Sequence, residues 1–445
     1  HEENLEVTKV ADVTASGRLI MKWRNKVILD LSRAFLNTNG AKQYADVMIA
    51  SPNQSVENHH HEDSLKEIFM SELQDLNACS QQGLGEMFDG SIGAGSVLMP
   101  YGGKYAITPA EGMAGKIPVL KGETNTCSLM SYGFDPEVCE WSPYHGGIYS
   151  VVESVAKIVA MGGDYRKIRL SMQEYFERLE KDPIKWGKPF SALLGAYFAQ
   201  DALGIAAIGG KDSMSGTFND LTVPPTMISF AVTVDKAENV LSPEFKQTGS
   251  KIYLVEIKRD EKEIPDFEEL KEKYSKIKNL INQKVILSAK TIGKGGIGVA
   301  LAKMSFGNKI GVSVKESFEV EKLFDKSIGS ILVEVKANQE NQLENQFILI
   351  GETIEEESIK IGKDNIDLDS LVKAYELPLS KVYPIKEDEI GDLETLRFET
   401  SPRVYKGEKI GTPRVFIPVF PGTNCEYDSI KAFEKAGATV ESMEI

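Results

Sequence analysis

Cysteine and histidine are scarce in this chain of 445 residues, which holds 4 Cys and 5 His. Cys79, Cys127, Cys139 and Cys425 are widely spaced, with no CxxC pair and too few histidines near them for a zinc site. A disulfide framework is excluded, and a reducing, cytoplasmic setting is the expectation. No apolar run reaches the roughly 20 residues that cross a bilayer, and no charged-then-apolar segment opens the chain. Positive charge is also short. The net charge of -15 argues against a nucleic-acid or anionic-membrane surface and leaves room only for local basic pockets. What remains is an ordinary globular composition, 42% hydrophobic and 26% charged with 38 Gly, long enough for two to four domains.

The most informative stretch is Gly209-Gly-Lys-Asp-Ser-Met-Ser-Gly-Thr-Phe218, which follows the apolar run Leu203–Ile208 and is expected to be a polar loop at a strand end. Paired glycines let backbone amides approach a phosphate, Lys211 adds a point charge, and Ser213 and Ser215 add donors. It is not a Walker loop, because the four-residue spacer is missing and Asp212 stands where a Ser or Thr belongs. From the loop alone, an ordinary turn is as good a reading as a phosphate cradle. A second glycine-rich segment, Ser288-Ala-Lys-Thr-Ile-Gly-Lys-Gly-Gly296, is expected as a loop between the strand 284–287 and an amphipathic helix. Its amides would meet an anion at a helix N-terminus, or simply make a tight turn. Glu153 and Lys157 stand i,i+4 on an expected helix of about 147–161, where spacing alone implies an ion pair worth a few tenths of a kcal/mol. The His59-His-His61 tract has no spaced partners and reads as a polar loop.

These segments, together with Asp89-Gly-Ser-Ile-Gly-Ala-Gly-Ser96, Thr108-Pro-Ala-Glu-Gly-Met113, Lys121-Gly-Glu-Thr-Asn-Thr-Cys-Ser-Leu129 and Ser142-Pro-Tyr-His-Gly-Gly147, closely resemble the second synthetase half of the phosphoribosylformylglycinamidine synthase family. These are the glutamine-dependent ATP ligases of purine biosynthesis. The resemblance runs from about residue 11 to 445 and is weak over 235–284. It implies an α/β (α+β) fold of aminoimidazole ribonucleotide synthetase type, followed by the first elements of a class I glutamine amidotransferase domain. The expected division is the tail of a preceding domain at 1–45, a linker and helix at 46–87, an N-terminal synthetase domain at 88–235, a C-terminal one at 236–385, a linker at 386–412 and a truncated amidotransferase start at 413–445. The chain then reads as an internal fragment. Its partners would be the first synthetase half and the rest of the glutaminase domain, with formylglycinamide ribonucleotide, ATP and glutamine as substrates of the whole enzyme and Mg²⁺ accompanying ATP.

The resemblance assigns residues as well. Positions matching Gly210 and Lys211 lie near nucleotide and metal in the main active site, and Ser213 lies at the substrate. Lys211 stands where shorter members carry a metal-binding amide. Glu111 and Glu153 match Mg²⁺ ligands of an auxiliary nucleotide site, with Ala110 an adjacent nucleotide contact. Here the sequence departs from its relatives: Lys157 replaces a neutral amide ligand, Thr291 an aspartate, and Gly293 a nucleotide-contacting serine, with Lys290 and Lys294 alongside. A protonated lysine gives no lone pair to a metal, so Lys157 is expected to replace the auxiliary Mg²⁺, with Lys290 or Lys294 filling the phosphate space. No catalytic residue of the family falls within this span, and Cys425 is expected in an opening loop rather than as a glutaminase nucleophile. The alternatives are a structural half that docks the glutaminase, or another ATP enzyme of the same superfamily.

Overall fold

The computed structural model describes residues 6–38, 42, 44–52, 64–91, 95–119, 122–343, 346–385 and 411–445. The histidine tract 59–61, the middle of the Asp89 glycine run and nearly all of the 386–412 linker lie outside the described residues. Two compact units emerge, one formed by 46–118 and 124–391, the other by 1–45, 119–123 and 392–445.

The larger unit contains two mixed sheets. The first has 6 strands in the order Ser96–Leu98, Met113–Lys116, Thr126–Gly133, Thr226–Lys236, Arg169–Tyr175, Ala206–Lys211. Its neighbours are antiparallel except for the last pair, which is parallel and places Ala206–Lys211 at an edge. The second has 7 strands in the order Ile286–Thr291, Ile331–Val335, Lys251–Val255, Ile348–Ile354, Gly311–Val314, Ser358–Ile361, Asp364–Asp367, with one parallel pair, Gly311–Val314 with Ser358–Ile361. Alternating burial along Thr126–Gly133 and Thr226–Lys236 is the period-two signature of strands with one face in a core.

The helix Pro143–Ala160 lies at the centre of this unit. Ser142 caps it by accepting from the His145 amide, and Pro143 starts it at the first position, where no N–H is missed. Of its 18 residues, 14 are buried. It packs on the strands Thr126–Gly133 and Thr226–Lys236, on the helix Pro183–Leu203, and towards Ile286–Thr291 of the second sheet. The approach to Pro183–Leu203 depends on two facing glycines. A Cβ on Gly147 would collide with the carbonyl oxygen of Ala192, and one on Gly195 with that of Tyr144. A second core gathers Phe69 and Leu73 of the helix Leu65–Gln74 against the helices Gly296–Phe306 and Leu368–Glu376.

Three expectations fail here for identifiable reasons. Gly209, Gly210 and Lys211 are strand residues, because parallel pairing with Ser171–Gln173 carries the strand through the glycines, and the loop begins only at Asp212. Ser288–Thr291 likewise belong to a strand paired with Ile331–Glu334, so the loop shrinks to Ile292–Gly295. The helix Gly296–Phe306 is not amphipathic. Ten of its 11 residues are buried, with Lys303 the exception, because cores press on it from more than one side.

In the smaller unit, Arg18–Trp23 and Lys26–Ser32 form an antiparallel hairpin. Arg414–Val419 and Thr439–Glu444 are parallel strands joined by the helix Glu426–Lys435. Arg414–Val419 alternates exposed and half-buried residues. Cys425 is exposed and sits just before that helix with a left-handed φ of 64°.

The facing glycines give a direct test. Gly147→Ala should lower unfolding free energy by about 1–3 kcal/mol, the usual cost of overpacking. Gly209→Ala should change it by less than about 0.5 kcal/mol, since a Cβ there meets nothing within 4 Å. Denaturant melts of both variants make the comparison.

Candidate functional site

The sequence-marked residues fall into two groups. Ala110, Glu111, Glu153, Lys157, Lys290, Thr291, Gly293 and Lys294 line one cavity of about 390 Å³. Gly210, Lys211 and Ser213 do not reach it and lie at the edge of the first sheet.

Four segments bring these residues to the cavity. Glu111 follows the short strand Thr108–Pro109; Glu153 and Lys157 come from the central helix; Lys290 and Thr291 end an edge strand of the second sheet; Gly293 and Lys294 lead into the helix that carries Lys303. Inside it the carboxylates are fully engaged. Lys290 Nζ donates to Glu111 Oε1 at 2.5 Å, while the Thr291 amide donates to Glu111 Oε2 at 3.0 Å and the Thr291 hydroxyl donates to the same oxygen. Lys157 Nζ lies 2.7 Å from Glu153 Oε1 and donates at 2.9 Å to the Tyr132 carbonyl, and the Phe134 amide donates to Glu153 Oε2 at 2.9 Å. The Lys157 ammonium also stands 4.6 Å from the Tyr132 ring centroid. Burial alone would raise the Glu111 pKa, but Lys290 and then Lys157 hold it below the usual carboxylate range. Lys157 is held above its ordinary value against its burial, mainly by Glu153.

Lys294 also lines the cavity but pairs with Glu137 at 2.8 Å and Asp75 at 3.6 Å rather than with these carboxylates. Lys303, which the sequence reading passed over, does line the cavity. Its Nζ stands 5.4 Å from the Tyr375 ring centroid, and among the described residues it has no hydrogen bond or ion pair. Burial, helped by the like charge of Lys290, pulls its pKa down to about 7. The signal that was available is a lone lysine inside the otherwise apolar run Gly296–Phe306.

Glu111 and Glu153 do not fit Mg²⁺. The ion asks for near-octahedral oxygen ligands, whereas all four carboxylate oxygens already accept from lysine, threonine or amide donors, and two ammonium groups occupy their approach. No cluster of three or more His, Cys, Asp or Glu among the described residues could hold a metal.

At the sheet edge, main-chain bonds pin the loop: the Ser213 amide donates to the Glu174 carbonyl at 3.1 Å and the Phe176 amide to the Ser213 carbonyl at 2.9 Å. Lys211 is exposed, and among the described residues its Nζ donates only to the Asp212 carbonyl, at 3.2 Å. Beneath them the buried Glu174 keeps one carboxylate oxygen without a partner. Burial first, and then Asp212, push its pKa up to about 7. Sequence reasoning missed Glu174 because it sits mid-strand with no motif around it. His145, inside one of the sequence motifs, is structural: its ring nitrogens lie 2.8 Å from Ser142 Oγ and from the Lys262 carbonyl.

No family model matches the chain. The phosphoribosylformylglycinamidine synthase subunit PurL of Thermoplasma acidophilum is 21% identical over 374 residues, covering 76% of this chain and 46% of its own length. The PurL subunits of Staphylococcus aureus (strain bovine RF122 / ET3-1) and Methanococcus aeolicus are each 23% identical, over 81% and 85% of this chain and 49% and 55% of theirs. This chain is similar to PurL. It spans about half the length of the curated relatives it matches. Among solved structures, PurLQS from Thermotoga maritima superposes with a TM-score of 0.53 at 14% identity, covering 77% of this chain and 56% of that one. The T. maritima PurL complexed with FGAR gives 0.53 at 13% identity, covering 77% and 57%. The mixed α/β fold is thus the PurL fold. No helix among the described residues is long and apolar enough to cross a membrane.

Two substitutions test the electrostatics. Lys157→Asn strips the half-buried Glu153 of its counter-charge and should cost about 1–3 kcal/mol of stability in metal-free buffer. Lys303 has the opposite sign. Its folded pKa of about 7 lies below the ordinary 10.5, so between those values only the unfolded chain binds the proton and stability rises with pH. Below about 7 the folded protein bears the full cost of the buried charge. Lys303→Met should therefore be the more stable protein near pH 6, by at least about 1 kcal/mol, and the difference should shrink as pH climbs towards 10. Melts across that range decide it.

Proposed function

We propose that this chain contributes part of an ATP-dependent carbon–nitrogen ligase of purine biosynthesis, which converts formylglycinamide ribonucleotide to its amidine with nitrogen from glutamine. The observation that carries the reading is the edge segment Gly210–Ser213, whose sequence resembles the family's, with Lys211 in place of the amide of shorter members, and which adjoins a sheet of PurL fold. The reaction activates the amide oxygen of the substrate by phosphorylation from ATP, and ammonia then displaces phosphate. In this reading the chain's own part is to bind and orient. The Ser213 hydroxyl, without a hydrogen bond among the described residues, receives the substrate phosphate, and the Gly210 segment and the Lys211 ammonium lie towards the nucleotide. Developing phosphoryl charge is met by such prepositioned donors.

The exposed edge supports a partner. Ala206–Lys211 is exposed along its whole length, and Ile208, Phe218 and Leu221 are each at least 74% exposed. We assign this surface to the first synthetase half. The unit containing Arg414–Glu444 we assign to the start of the glutaminase domain, with Cys425 outside the chemistry, and the setting to the cytoplasm.

The test is Ser213→Ala in the enzyme assembled with its remaining parts. A phosphate contact made in both ground and transition states should appear as a raised KM for formylglycinamide ribonucleotide with kcat little changed. Loss of one charge-assisted hydrogen bond corresponds to roughly 1.5–3 kcal/mol, about ten- to a hundred-fold. Unchanged KM and kcat would leave the segment a mere turn.

A further inference from the structure

Lys303 differs from the cavity's other lysines. Lys157 pairs with Glu153, Lys290 with Glu111, and Lys294 with Glu137 and Asp75. Lys303 has no carboxylate and no hydrogen-bond acceptor among the described residues, and its Nζ stands 5.4 Å from the Tyr375 ring centroid. The titratable groups that act on it are Lys290, Glu111, Cys79 and Lys157; burial and the two lysines outweigh the carboxylate and the thiol, which brings its pKa to about 7. A large share of Lys303 is therefore free amine at neutral pH, whereas an ordinary lysine is free in roughly one molecule in three thousand. The side chain is half-buried and lines a cavity of about 390 Å³, within reach of a small uncharged molecule. A desolvated, unprotonated lysine in such a place is a nucleophile.

We propose that Lys303 is a site of covalent modification by carbon dioxide, which it holds as a carbamate on the cavity wall. The amine nitrogen forms a bond to the carbon of CO₂, one C–O π pair moves onto oxygen, and a proton leaves nitrogen for water. A neutral amine and CO₂ thus give a carbamate anion and H⁺, with nothing oxidised or reduced. Carbon dioxide suits the site because it carries no charge into it and its product has the sign that the surroundings favour. The Lys290 and Lys157 charges that repel a proton at Lys303 attract an anion there. Glu111 acts against this, but both of its oxygens are already engaged by Lys290 and Thr291. The modification concerns the chain itself and does not depend on the reaction proposed above.

The experiment is carbon-13 NMR of the whole chain in labelled bicarbonate, at equal dissolved CO₂, near pH 8 and near pH 6. The expected result near pH 8 is a carbamate signal beyond that of the chain's α-amino group, absent from Lys303→Gln. Near pH 6, where Lys303 is mostly protonated, that signal should be at least about tenfold weaker. Trapping with triethyloxonium near pH 8 should leave an ethyl carbamate on the peptide that contains Lys303. No second signal, a second signal that persists in Lys303→Gln, or one of equal strength near pH 6 would each overturn the proposal. Should that variant not fold, trapping on the unaltered protein decides alone: an ethyl carbamate on Lys303 supports the assignment, and its absence from Lys303 overturns it.

Discussion

The helix Pro143–Ala160 sits between a sheet, a second helix and the edge of another sheet, and burial on nearly every side dictates what its residues can be. Its hydroxyls must bond inward: Ser150 donates to the Gly146 and Met227 carbonyls, and Ser154 to the Val151 carbonyl. Its glycines must face backbone, as Gly147 does. A charge on such a helix has to bring its own counter-charge, because no water stands ready to replace one. Glu153 and Lys157 meet that condition one turn apart, each with a further main-chain partner at 2.9 Å. The helix's place in the fold and the electrostatics of the cavity are therefore one constraint.

From that pair the cavity's chemistry follows outward. With Lys157 fixed between Glu153 and the Tyr132 carbonyl, Glu111 sees a positive neighbour on one side and Lys290 on the other, and it stays ionised despite burial. Four oxygens that could have bound a hard cation are saturated by nitrogen and hydroxyl donors. The same residues leave Lys303 without a carboxylate of its own, and burial, helped by the like charges of Lys290 and Lys157, pulls its pKa down to about 7.

What was legible in the sequence and what was not divides along physical lines. The Glu153–Lys157 pair could be read from i,i+4 spacing, since helical neighbours are local, whereas the helix expected from about 147 starts earlier, at Pro143 behind the Ser142 cap. The Lys290–Glu111 pair spans 179 positions of sequence and belongs to the fold, so no local pattern announces it. Gly209–Lys211 and Ser288–Thr291 looked like loops because glycine and polar residues are weak strand formers, and pairing with a neighbouring strand overrode that preference. The helix Gly296–Phe306 was expected to be amphipathic, and it lacks the solvent face that this implies. The similarity to PurL identified which positions to watch, but the residues standing there made the difference, since Lys157 and Thr291 change what the site can hold.

The two groups of site residues also differ in how complete they are. The cavity's walls all come from one unit, and its charges are arranged by bonds within that unit. The Gly210–Ser213 segment has a neighbour on one side only, and its strand presents backbone groups and apolar side chains outward, a surface that association buries. A buried cluster can hold its geometry through internal ion pairs, whereas an edge strand gains its final geometry from whatever pairs with it. Substitutions in the cavity should therefore be read first in stability and binding by this chain, and those at the edge only in the assembly that covers it.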